Sequence, residues 1–264
     1  MDKARQRGNG VFAGRGAFVS SAAACRPSRC GAVNGEGMRA AGMNWIALQV
    51  HDGDEMGSNT VTLPGWADEW RKLGFTVGFW GASHGKGKAA EDGRTGARLT
   101  AKYGGQFYIA DVEGPFQLGE GDIKENRAFV DAFQAEATAR GIGGVARALS
   151  SLGRVALDMR PWVENGWDAL PQAYWNDYES YQPSLCVSFY HRESEPSWPL
   201  ARIHPTIGIY PKSSGGDQAR AISLKDYAAD LKLAGTTGWS LYLPEKYLDR
   251  TQLKQFAALK GKGF

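Results

Sequence analysis

The chain is short of several things, and each absence removes a class of protein. Only three cysteines occur in 264 residues. Two of them lie close together in Cys25-Arg26-Pro27-Ser28-Arg29-Cys30, a spacing that either closes a small disulfide or leaves two free thiols. No second Cys or His pair accompanies them, so a zinc-type ligand set is excluded. The third, Cys186, falls in an apolar helical stretch and is expected in the core. No apolar run reaches the roughly 18 residues of a membrane span. The polar N-terminal residues, with no apolar segment among them, carry no conventional secretion address. Net charge is only +3 with no basic stripe, which argues against a nucleic-acid partner. What is abundant is glycine, 35 residues, and tryptophan, 9 residues. Many glycines suit many tight turns, and exposed tryptophans suit flat ligands or interfaces.

Residues 1–9 are charged and are expected to be a loose terminal segment before a single domain over 10–264. Apolar runs of strand length fall at 11–20, 44–50, 75–80, 106–113, 145–151, 168–175, 203–210 and 238–243. Most precede a segment with helical spacing. Pro64-Gly65 opens one, with Trp66, Trp70 and Leu73 on its inner face. Asp122 is placed as the cap of another, with Glu125 at the capping-box position. Ser223 and Asp249 cap the last two. A helix over 178–192 is interrupted by Pro183, and residues 21–42 make a poor one. Strand starts near 44, 75 and 106 are about thirty residues apart, the length of one βα unit. Eight such units imply a closed α/β ring, a (β/α)8 TIM barrel. An open doubly wound sheet is the alternative, but no G-x-G-x-x-G follows the first strand.

The chemistry concentrates in Phe107-Tyr108-Ile109-Ala110-Asp111-Val112-Glu113-Gly114. Asp111 and Glu113 are two apart, so on a strand they share a face. Paired carboxylates raise one another's pKa, which suits a general acid with a charged helper. A helix-capping Asp beside an Arg-paired Glu would also give this pattern. In a barrel of this type ligands bind at the C-terminal strand ends. The other ends offer Asp52 as a further carboxylate, and Trp80, Gln172, Tyr174, Tyr210 and Tyr242 as aromatics and amides suited to sugar rings. Packing in the barrel layers is the competing role for the aromatics. His84 has no Ser or Cys nucleophile motif beside it, and residues 211–216 could form either a phosphate loop or a plain one.

The strand ending in Asp111-Val112-Glu113 resembles the D-x-E strand of glycoside-hydrolase barrels. It is similar to that of Chalaropsis-type lysozymes and of glycosidase-like barrels in bacteriophage tail proteins. A general acid must hold its proton near working pH, so the raised pKa is expected on Glu113; the resemblance implies that Glu113 is the proton donor and that Asp111 assists. It implies peptidoglycan or another bacterial envelope polysaccharide as substrate, no cofactor, and a virion or extracellular location. Asp52 would be the carboxylate across the sugar, unless an N-acetyl group of the substrate assists. The first strand departs from the family: Gly16-Ala17-Phe18-Val19-Ser20 has Phe18 where the lysozymes have a carboxylate. A second reading therefore stands beside the enzyme: a non-catalytic barrel that binds glycan or is built into a phage tail as a minor tail protein with other virion proteins as partners.

Overall fold

The computed structural model describes residues 10–53, 55–57, 62–113, 122–154, 158–209 and 222–258. Eight parallel strands close on themselves. They are β1 (Arg15–Val19), β2 (Met43–Asp52), β3 (Thr76–Ser83), β4 (Phe107–Val112), β5 (Ala146–Leu152), β6 (Asp168–Ala173), β7 (Thr206–Gly208) and β8 (Trp239–Tyr242). The ring shuts where Phe18 of β1 pairs with Tyr242 of β8 on one side and Ala47 of β2 on the other. Helices α1 (Gly35–Ala40), α2 (Leu63–Lys72), α3 (Ala89–Lys102), α4 (Asp122–Ala139), α5 (Arg160–Glu164), α6 (Pro183–Ser188), α7 (Leu224–Ala234) and α8 (Arg250–Ala258) follow the strands in turn. The expected (β/α)8 barrel is therefore the observed one. Glu55–Met56 is antiparallel to the end of β2, but it hangs off the ring rather than joining it.

Local chemistry explains most helix ends. Ser223 and Asp226 form a reciprocal capping box on α7, and Asp249 and Gln252 exchange the same pair of bonds on α8. Pro183 does not interrupt a helix; it begins α6, where its missing N–H costs nothing. Glu125 accepts the N–H of Gly87 at 2.8 Å, so it ties the loop after β3 to α4. In the poor helical stretch after β1, Cys25 and Cys30 are joined as a disulfide across a two-residue-per-strand hairpin. Cys186 is buried, and burial raises its thiol pKa.

Two faces of each strand build two cores. Outward residues such as Tyr108, Ala110 and Val112 pack under the helices. Inward residues Phe18, Trp45, Trp80, Phe107, Ile109 and Leu170 fill the barrel itself, with Phe12 among them. The rings meet edge to face: Phe12 on Trp45 at 5.6 Å and Trp45 on Phe107 at 5.5 Å between centroids. Such large rings fit because neighbouring strands give up their side chains. A Cβ on Gly16 would lie 1.9 Å from the Trp45 ring, and one on Gly78 would lie 2.4 Å from Phe107.

Candidate functional site

The inward line of β4 runs Phe107, Ile109, Asp111 and then, just past the strand end, Glu113. Depth separates the two carboxylates: Asp111 is buried at 8% exposure, while Glu113 is exposed. On β6 the inward line runs Leu170, Gln172 and Tyr174, and Gln172 is 1% exposed. Its amide Nε2 donates to Asp111 Oδ1 at 2.8 Å and to Glu113 Oε1 at 2.6 Å, with Ser150 Oγ at 3.3 Å. One amide thus bridges both carboxylates and spends its two hydrogens on them. Its other atom, Oε1, is buried without a hydrogen-bond partner.

Burial first, and the charge of Glu113 second, push Asp111 up to about 8, against the hydrogen bonds from Ser150 and Gln172. Asp52 adds to the rise. The raised pKa expected on Glu113 is thus found on Asp111, because β4 carries Asp111 below the rim while Glu113 reaches water.

Tyr242 and Tyr174 stand side by side, with ring centroids 5.4 Å apart. Burial raises the Tyr242 hydroxyl pKa, and the charges of Asp111, Glu113 and Glu245 raise it further, so this ring lies within reach of the acid pair. Glu245, buried, accepts the N–H and O–H of Ser20 at 2.8 and 2.9 Å and so ties the ends of β8 and β1 together. Trp80 has a different place. It is 3% exposed, its indole N–H donates to Val19 O at 3.0 Å, and its ring packs on Phe18. It forms part of the floor beneath the mouth. Tyr210 and residues 211–216 lie outside the described residues. Among the described residues no group of three or more His, Cys, Asp or Glu could hold a metal ion.

Asp52 depends on a feature absent from the sequence reading. The β2–β3 register slips between Gln49 and His51, so β2 carries one extra residue there. Gln49 pairs with Trp80 on the inward side, yet it is Asp52, not His51, that pairs with inward Ala82. The bulge turns Asp52 to the mouth and sends His51 outward among the helices, the kind of re-aiming bulges perform at barrel rims. His51 is fully buried there. Its Nδ1 meets the Gly53 carbonyl at 2.8 Å, and a carbonyl can only accept, so Nδ1 carries the proton. Nε2 must then accept from the Tyr108 hydroxyl at 2.7 Å. Burial holds this imidazole down at about 4, and so neutral. Tyr108→Phe would strand Nε2 without a donor. The expected loss is about 1–3 kcal/mol, read as a lower urea midpoint at an unchanged slope.

The fold has relatives among solved structures. A class V chitinase from Nicotiana tobaccum, a mutant in complex with NAG4, superposes with a TM-score of 0.65 at 8% identity, over 95% of this chain and 99% of that one. An endo-beta-N-acetylglucosaminidase from Cordyceps militaris gives 0.57 at 12% identity, over 95% and 91%. The chain shares its barrel fold with these two glycoside hydrolases. The likeness is one of fold alone: a sugar phosphate isomerase/epimerase from Parabacteroides distasonis also superposes, at 0.50 and 12% identity, over 93% and 92%. No protein-family model matches the chain, and no curated protein matches it in sequence. Among the described residues no helix is long and apolar enough to cross a membrane.

Proposed function

We propose that this protein hydrolyses glycosidic bonds in a bacterial envelope polysaccharide, with peptidoglycan the first candidate and Glu113 the general acid. The observation that carries this reading is the Gln172 amide shared between Asp111 and Glu113 at the barrel mouth. A merely structural pair would not need two carboxylates on one donor, one of them buried and raised to about 8. Near neutral pH that pair holds a proton, resting on the buried member. Glu113 is the member a substrate can touch. When a sugar covers it and displaces water, its charged form is penalised and the proton is drawn outward to it, facing the leaving oxygen. Asp111, left ionised, then supports positive charge at the sugar ring. Tyr174 and Tyr242 offer the ring faces on which a sugar stacks.

Glu113→Gln keeps the shape and the hydrogen bond but cannot give a proton. Its expected effect is a loss of at least about a hundredfold in release of reducing ends from purified peptidoglycan, with sedimentation onto the same material unchanged. Unmodified protein that sediments with peptidoglycan but releases nothing would refute catalysis and favour the non-catalytic, tail-type barrel.

A further inference from the structure

The acid pair occupies one wall, and hydrolysis with inversion needs a second group across the sugar to activate water. We infer that Asp52 is that base, that His84 is the positioning residue that holds it, and that the reaction inverts the anomeric centre. This inference rests on the hydrolase reading and assigns its other half.

Four observations carry it. The bulge in β2 places Asp52 in register with Ala82, and Ala82 in register with Asp111, all on the inward side. On β3, which lies between the two carboxylate-bearing strands, the side chain in this register is the Ala82 methyl group. Two strand spacings separate the Asp52 and Asp111 backbones by about 9–10 Å, and Glu113 lies about 6–7 Å further along, so the Asp52 and Glu113 backbones are roughly 11–12 Å apart; side chains turned toward each other from there meet the roughly 6.5–9.5 Å that inverting carboxyl pairs require. His84 Nε2 donates to Asp52 Oδ1 at 2.6 Å, leaving Oδ2 for a water. Both side chains are about three-fifths exposed, at 62% for Asp52 and 61% for His84, so water reaches them.

Their backbones, unlike those of an ordinary surface ion pair, are anchored from beneath. His51 holds the Gly53 carbonyl, and Gly53 N–H donates to Ala82 O at 2.9 Å. Gly53 has φ of +61°, and a Cβ there would lie 2.7 Å from His84 Cδ2, so glycine makes room for the imidazole. On the other side, buried Asp92 of α3 accepts the His84 N–H at 3.1 Å and the Ser83 hydroxyl at 2.5 Å.

In the step, the water O–H bond breaks and its proton goes to Asp52 as the oxygen bonds to the anomeric carbon. The glycosidic C–O bond breaks, its electron pair stays on the leaving oxygen, and Glu113 supplies that oxygen's proton. Solvent then accepts the proton from Asp52 and supplies one to the acid pair, which restores the starting state.

The experiment follows the first-formed anomer by proton NMR during cleavage of a soluble peptidoglycan fragment or an N-acetylglucosamine tetramer. It also measures kcat and KM for three variants. Expected are an inverted product, a loss of at least about a hundredfold in kcat for Asp52→Asn, and a smaller loss for His84→Ala at unchanged KM. His84→Gln, which keeps an N–H near the Nε2 position, should recover most of the His84→Ala loss. A retained product, with Asp52→Asn within about threefold of the unmodified protein, overturns the pair and leaves Glu113 with an assisting N-acetyl group. Unmodified protein that cuts neither substrate overturns both readings.

Discussion

Asp111→Asn is expected to make the protein more heat-stable at pH 8 while removing hydrolysis. Asparagine keeps the oxygen that accepts from Gln172 and loses the charge that burial and Glu113 oppose. The sign follows from proton counting. Burial and the Glu113 charge push the folded Asp111 carboxyl up to about 8 from its ordinary 3.8, so between those pH values the folded state binds more protons than the unfolded one. Stability therefore falls as pH rises from about 4 to 8. Each pH unit is worth at most about 1.4 kcal/mol, and a buried, interacting carboxyl delivers a fraction of that. A gain on the order of 2 kcal/mol at pH 8 corresponds to a Tm about 4–8 °C higher for a chain of this size. His51 has the opposite slope. Its folded pKa is depressed from 6.5 to about 4, so it costs nothing above pH 6.5 and destabilises progressively as pH falls towards 4. In the unmodified protein the two slopes oppose each other between pH 4 and 6.5. Asp111→Asn should expose the His51 slope, so its Tm should drop more steeply on acidification. Calorimetry at half-unit steps from pH 4 to 8 tests this. A variant less stable than the parent at pH 8 would mean that Asp111 is ionised in the fold, and the proton argument built on it would fail.

Gly81→Ala is expected to be the most damaging single-methyl change near the site. A Cβ there would lie 2.0 Å from His51 Nε2, with the rest of the ring no more than 2.4 Å away at Cε1 and Cδ2. The ring cannot swing aside cheaply, because Gly53 O and the Tyr108 hydroxyl hold its two nitrogens. Overpacking alone costs about 1–3 kcal/mol, and breaking the buried bonds adds about 1–3 kcal/mol more. The loss should show as poor soluble yield or a Tm lower by about 10 °C. Gly65→Ala is the control. It sits in α2 with nothing within 4 Å of its Cβ, and should be neutral or gain up to about 1 kcal/mol. Equal effects from the two changes would show that the His51 packing is not tight.

Asp111 and Asp52 mark the limit of what the sequence discloses. The β/α period is legible because a buried parallel strand must be apolar and of a certain length, and eight of them leave one closed arrangement. The shared inward face of Asp111 and Glu113 is legible because a strand has only two faces. Depth is not legible. The apolar run suggests that β3 ends at Trp80, whereas the strand continues to Ser83, which drops Trp80 one layer to the floor. The same blindness puts the raised pKa on Glu113 instead of Asp111. The β2 bulge is invisible for another reason: an extra residue exists only relative to the partner strand, so the apolar run Asn44–Val50 reads as an unbroken strand closed by His51-Asp52-Gly53. Nor does any local pattern join His84 to Asp52, which lie 32 residues apart.

The glycines that make room for Trp45 and Phe107 have a consequence for how this barrel can change over time. Gly16 cannot acquire a side chain while Trp45 fills its space, whereas Gly78 is closed more firmly, because a Cβ there would lie 2.5 Å from the Phe107 carbonyl oxygen as well as 2.4 Å from its ring. Substitution at the Gly16–Trp45 pair is therefore ordered. The aromatic must shrink first, passing through an intermediate with a cavity, before the glycine can grow. The reverse order passes through a clash. Histories of related barrels should show the large residue lost before the small one is gained, and laboratory evolution of this chain should find the two changes tolerated together more readily than the glycine change alone.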